Sequence, residues 1–299
     1  SQALKDELNA AIKAVPTANN SEKLVLVKKF SELFQQVYEC KLAYINLMNQ
    51  IEELYIMSSS LSGILAAEQA AELSALIDNL VNMYLEGTVG IEDANKNYVE
   101  ELSFLPEIVD NVVKIETAFD LTFFAAKVND GESGLNAVLE ADIDLSGIAG
   151  SSYMLNRFTG TFDGQGHTLK LDIKTDQQRA ALFCHTSGNA LIKDLILRGT
   201  IETSNKFAGG IVGQANDNTT IENCASYVQI NSLLEGDCSH GGLIGYTQGS
   251  GTVRVNNCLF AGSINGANTN NCGGICGWSE VKTIISNCLL TGNLNIQTE

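Results

Sequence analysis

Along the first hundred residues apolar positions recur every three or four residues; beyond residue 136 they recur every two. The first period predicts helices and the second predicts strands with one buried face. A short helix is expected over Gln2–Ala14, stopped by Pro16. Asn19-Asn20-Ser21 then offers a cap for a long helix. Its apolar seam reads Val27, Phe30, Phe34, Val37, Tyr44, Met48, Ile51 and Tyr55, with Lys41 in one seam position. Such spacing signals a coiled coil or a bundle. A third helix is expected over about 62–85, with Leu65, Leu73, Leu76, Ile77, Leu80 and Tyr84 on one face and Gly87 at its end. Weaker helical patterns cover 91–102 and start again at Pro106. Residues 1–114 therefore read as an antiparallel bundle of three to five helices.

The second part, 115–299, opens with a strand at Ile115-Glu116-Thr117 and a helix over 118–128 that ends at Asn129-Asp130-Gly131. Residues 136–145 alternate as a single half-buried strand, and Asp163-Gly164-Gln165-Gly166 forms a tight turn between two more. A phrase then returns at intervals of 32 residues: Gly209-Gly210-Ile211-Val212-Gly213, Gly241-Gly242-Leu243-Ile244-Gly245 and Gly273-Gly274-Ile275-Cys276-Gly277. Each copy precedes a second phrase: Ile221-Glu222-Asn223-Cys224, Val255-Asn256-Asn257-Cys258 or Ile285-Ser286-Asn287-Cys288. Ala181–His185 and Ile192–Leu195 form a degenerate earlier copy. Strand-forming repeats of this length stack as coils of a solenoid. The fold class is thus α+β and multidomain: a helical bundle, then a parallel β-helix with a leading cap region at 115–180 and coils at 181–299. Equivalent residues should form columns. Ile192, Ile221, Val255 and Ile285 would make one, and Leu195, Cys224, Cys258 and Cys288 another. Asp194, Asn223, Asn257 and Asn287 would sit at a bend, where Asn tolerates a left-handed backbone.

These phrases carry a resemblance. Val128-Asn129-Asp130-Gly131, Ala141–Gly147 and Gly160–Thr168, together with Gly241–Gly245, resemble bacterial surface proteins that carry GLUG-motif repeats. The resemblance covers about 115–299 and not the helical part. It implies a right-handed parallel β-helix, an extracellular or cell-surface location, and roles in surface attachment or contact with a host or dietary glycan or a surface protein. The family also includes repeats in secreted peptidases that cleave immunoglobulins.

One column differs from the rest. The position after each glycine phrase holds His185, Gln214, Tyr246 and Trp278, the last being the single tryptophan. If Gly213, Gly245 and Gly277 face inward or sit at the bend, the aromatic pair is exposed. Flat apolar rings with amides beside them suit sugar rings, so these four are the candidate ligand-binding residues.

Charge and chemistry narrow the function further. The net charge of −17 repels phosphate backbones, which argues against nucleic acid. No stretch of about 18 apolar residues is available to span a membrane. No motif calls for a cofactor or a metal: the cysteines lack Cys-x-x-Cys pairing, and Cys238 with His240, or Cys272 with Cys276, makes only a weak zinc pattern. The carboxylates that could serve catalysis or a cation are Asp142, Asp144 and Asp163, near His167. Within the repeats Glu202, Asp217, Glu222, Glu235, Asp237 and Glu280 do not align into a column. A paired-carboxylate glycosidase pattern is therefore not visible. A cysteine nucleophile with His185 or His240 conflicts with cysteines that look buried. The sequence favours noncatalytic, adhesin-like binding. The alternatives are an enzyme on polysaccharide or peptide (a lyase, hydrolase or peptidase fragment) and a structural spacer of a larger surface protein. A chain starting at Ser1 suggests processing or trimming. The repeat runs to Ile296 with no cap before Glu299, so a longer natural chain, a tolerated short end or a covering subunit is expected.

Overall fold

The structure is a computed structural model that describes residues 2–297. The repeat is described through Asn293–Gln297, and Thr298 and Glu299 lie outside the described residues. The chain divides into two compact units, Ser1–Leu105 and Pro106–Glu299. Val112–Ile115 falls in the second because it pairs in parallel with Asn136–Leu139.

The first unit holds three α-helices: α1 (Gln2–Ala14), α2 (Asn20–Ser60) and α3 (Ala67–Glu86). Asn19 caps α2. Its side-chain oxygen accepts from the Ser21 and Glu22 amides, and the Glu22 carboxylate accepts from the Asn19 amide. Gly87 ends α3 in the left-handed conformation, at φ 70°. The expected helix over 91–102 is instead two short 3-10 turns, Ile91–Asn95 and Val99–Glu101. Side chains claim the backbone there. The Asn46 amide donates to the carbonyls of Asp93 and Lys96, both at 2.8 Å, and the Gln50 carbonyl accepts from the Tyr98 amide. The helix expected at Pro106 is also absent. Asp110 and Asn111, at φ 50° and 63°, turn Ile108–Val109 back on Val112–Val113 as a hairpin.

The phase of α2 departs from expectation. Its buried side chains are Leu33, Ala43, Leu47 and Leu54, whereas Val27, Phe34, Val37, Met48 and Tyr55 of the expected seam are exposed. Both sets repeat with the same period, and a period fixes the spacing of a stripe but not which of two stripes meets the neighbouring helices.

The second unit is a parallel β-solenoid of about five turns. A first sheet stacks Asn136–Leu139, Thr161–Asp163, Leu191–Lys193, Thr220–Glu222, Thr252–Asn256 and Lys282–Ser286. A second stacks Phe183–Thr186, Val212–Asn216, Ile244–Gln248 and Cys276–Ser279. A third runs from Ile143–Asp144 and Thr168–Thr175 to Asn293–Gln297. The alternation expected to be one strand over 136–145 is two strands in different sheets, because the apolar phase continues round the corner at 140–142.

The predicted columns form in register. Phe162, Ile192, Ile221, Val255 and Ile285 pair in sequence. Asp194, Asn223, Asn257 and Asn287 all adopt positive φ, between 53° and 55°. The Asn223 amide donates to Asp194 at 3.0 Å, and the Asn257 amide to Asn223 at 2.8 Å. At one end of the solenoid, α4 (Ala118–Asn129), capped by Thr117, buries Leu121, Phe124 and Val128 in the same core. Phe124 meets the rings of Phe158 and Phe162 edge-on, with centroids 6.1 and 6.0 Å away.

Candidate functional site

His185, Gln214, Tyr246 and Trp278 stand one above another on the second sheet, each paired in register with the next. The column exists, but it is not an exposed platform. Gln214 is 4% exposed and Tyr246 7%, whereas Trp278 is 46% exposed. Neither Gln214 nor Tyr246 belongs to the apolar interior. Both are covered from outside.

The cover comes from a corner that precedes each glycine phrase. Arg179 occupies it before the degenerate copy, and Phe207 and Ser239 before the first two glycine phrases, all in the left-handed region, at φ 69°, 70° and 50°. Each leans over the following coil. A β-carbon on Gly213 would strike the Arg179 carbonyl, one on Gly245 the Phe207 carbonyl, and one on Gly277 the Ser239 backbone. This close approach is why the phrase must end in glycine. The glycines therefore lie under an overhang, which corrects the expectation that they expose their neighbours.

Each corner side chain then meets the ladder residue beside that glycine. Arg179 donates from Nε to the Gln214 side-chain oxygen. Phe207 stacks on Tyr246 with centroids 4.7 Å apart and planes 22° from parallel. Ser239 stands in the same relation to Trp278, but its hydroxyl turns to Asp237, 2.9 Å away. The indole is thus left without the ring that covers Tyr246. A cleft of about 230 Å³ lies there, lined by Phe207, Asp237, Ser239, Tyr246, Asn271, Trp278 and Glu280.

The cleft sets acidic and polar groups among three aromatic rings, of which the Trp278 indole is the most exposed. Lys206, 2.7 Å from Asp237, together with the Asn271 amide and the Ser239 hydroxyl, lowers the Asp237 carboxyl to about 2. It is a fixed anion with no proton to give at neutral pH. Burial and a hydrogen bond to Glu280 raise the Tyr246 phenol to about 12, so it stays protonated. Asp237 is therefore placed to accept hydrogen bonds rather than to donate a proton. The arrangement can hold a flat ring on Trp278 and accept hydrogen bonds from hydroxyls at Asp237 and Glu280. Asn271 adds amide valences at the rim.

The other candidates resolve into local structure. Asp142 accepts from the Thr168 amide and contacts His167 at 3.2 Å. Asp144 pairs with Lys170 at 2.9 Å and Asp163 with Lys193 at 2.6 Å, so the three carboxylates each have a partner of their own. His185 is half-buried, and burial with the Arg179 and Arg157 charges lowers its pKa. His240 is fully buried. Its Nδ1 accepts from the Ala208 amide at 3.1 Å and its Nε2 donates to the Ser232 hydroxyl at 2.9 Å. Burial lowers its pKa to about 4, so it is neutral. No cysteine contacts either ring nitrogen through these bonds. Burial raises the Cys184 thiol to about 12 and the Cys276 thiol to about 11; the neighbouring Cys258 thiol and burial push Cys224 up. Among the described residues no three His, Cys, Asp or Glu side chains are placed to hold a metal. A wider depression of about 640 Å³ runs along the bend asparagines, with Asp194 its one acidic lining residue. No helix among the described residues is long and apolar enough to cross a membrane.

The sequence singles out Trp278 and sets Asp237 and Glu280 aside as unaligned carboxylates; it does not single out Phe207, Ser239 or Asn271. The usable signal was a constant offset: Phe207, Ser239 and Asn271 each stand two residues before a Gly-Gly pair.

No protein-family model matches this chain, and no curated protein matches it either. A crystal structure from Bacteroides ovatus, of a protein provisionally named an immunoglobulin A1 protease, is similar at 19% identity and a TM-score of 0.39. The match covers 62% of this chain and 68% of that one. A likeness of that size says nothing about chemistry, and the fold stands on the strand register described above.

Proposed function

We propose that this chain is a noncatalytic, adhesin-like binding protein that contacts glycans at the Trp278 cleft. The observation that carries the proposal is the vacancy over the indole. Phe207 fills that place over Tyr246, and Ser239 leaves it open over Trp278. A pyranose ring has the flat C–H face to take the position of the missing phenyl ring. Its hydroxyls would donate to Asp237 and Glu280, which suits neutral sugars and disfavours anionic ones. A chain of net charge −17 repels polyanions as well. The phrases that resemble GLUG repeats support a bacterial protein secreted or displayed at the cell surface, where such ligands are met. The test is a glycan screen with the wild-type chain and the Trp278→Ala variant. Binding that vanishes in the variant supports the proposal; binding that is unchanged, or absent from the wild type, defeats it.

A further inference from the structure

The exposed side of α2 is itself a heptad stripe. Leu24, Tyr38 and Ile45 occupy one core position of the repeat, and Val27, Phe34, Met48 and Tyr55 occupy the other. These side chains are 44% to 73% exposed. They lie opposite the buried stripe of Leu33, Ala43, Leu47 and Leu54, which the rest of the helical unit covers. A strict seven-residue repeat drifts about 20° per heptad on a straight helix, so this stripe winds left-handed and fits a second helix that does the same. A single amphipathic helix against its own neighbours has no use for a second seam.

We propose that α2 joins two copies of this chain in an antiparallel coiled coil centred between Tyr38 and Lys41. The charges choose the direction. Ser31, Lys41 and Glu52 fill the remaining core positions of the stripe. In a parallel pair Lys41 would face Lys41 and Glu52 would face Glu52 inside the interface, which opposes association. Reversing one helix about the midpoint of 24–55 sets Lys41 against the partner chain's equivalent of Tyr38, a cation on an aromatic face. It also sets Phe34 against Ile45, Leu24 against Tyr55 and Glu52 against Val27. Glu52 and Glu53 at one end of the stripe then lie beside Lys23 and Lys28 at the other. The stripe is about 47 Å long at 1.5 Å per residue. Seven such side chains on each of two helices bury on the order of 1,200 Å² or more, enough for a stable dimer. A lipid surface is a poorer occupant, because Lys41 and Glu52 would enter it. A dimer would also carry two Trp278 clefts per particle, although the dimer does not depend on what those clefts bind.

The experiment uses the full chain. Sedimentation equilibrium at micromolar concentration should give twice the 32.0 kDa chain mass. A Phe34→Asp, Ile45→Asp double variant alters exposed positions only. It should sediment as a monomer while keeping the helical circular dichroism of the wild type. Direction is read by oxidative cross-linking. A Val27→Cys, Glu52→Cys double variant should run as a covalent dimer without reductant, and Val27→Cys alone should not. A monomeric wild type, a dimer that survives in the double aspartate variant, or cross-linking by Val27→Cys alone would each overturn the proposal.

Discussion

Two neighbouring rungs of the solenoid share one plan and differ in one side chain. At the lower rung Phe207 covers Tyr246; at the upper rung Ser239 fails to cover Trp278. The backbone is the same in both, down to the left-handed corner and the glycine beneath it. The scaffold therefore sets where a ring can lie, and the corner residue decides whether the protein or a ligand supplies it. The corners differ next door as well: His240 stands where the lower rung has Ala208, with Gly209 and Gly241 paired just beyond them.

The largest expected effect lies at that histidine. The pKa of His240 is about 4 in the fold against an ordinary 6.5, so between those values the unfolded chain binds more protons than the folded one. Stability is full above pH 6.5 and falls as the pH drops toward 4. The total loss is about 3 kcal/mol, and the dependence levels off below that. Urea unfolding at a series of pH values reads this slope, and His240→Gln should flatten it between pH 4 and 6.5. Next in size is Phe207→Ser, which makes the lower rung resemble the upper. It should cost about 2 kcal/mol in chemical denaturation through lost stacking and burial, and should open a second slot over Tyr246. Trp278→Ala should move stability by less than about 1 kcal/mol, since the ring is half exposed, while lowering glycan affinity at least about tenfold. Asp237→Asn should be mildest. Its ion pair with Lys206 is exposed and worth about 0.5 kcal/mol, and affinity measured by titration calorimetry should fall only roughly threefold.

The two units also differ in how much of them was legible. In the solenoid the recurring phrases name each residue's neighbour above and below, so the Ile221–Val255 and Asn223–Asn257 contacts, each spanning 34 residues, could be written by aligning the two Asn-Cys phrases. The His185–Trp278 column was legible for the same reason. Its cover was not, because Phe207 and Ser239 reach it across coils from a position whose residue type varies. The corner at 140–142 was hidden because strands on both sides of it alternate alike. In the helical unit the period was legible and the phase was not. Leu47 and Met48 both fit a seam, and only packing against other helices selects Leu47.

The most direct test fills the open rung. Ser239→Phe copies the corner of the lower rung, at a backbone conformation that Phe207 already adopts. A screen of immobilised neutral glycans should show binding by the wild type and none by Ser239→Phe, with the variant's thermal unfolding unchanged or raised. Wild-type binding retained by Ser239→Phe would contradict the assignment of the Trp278 slot as the place where ligand is held.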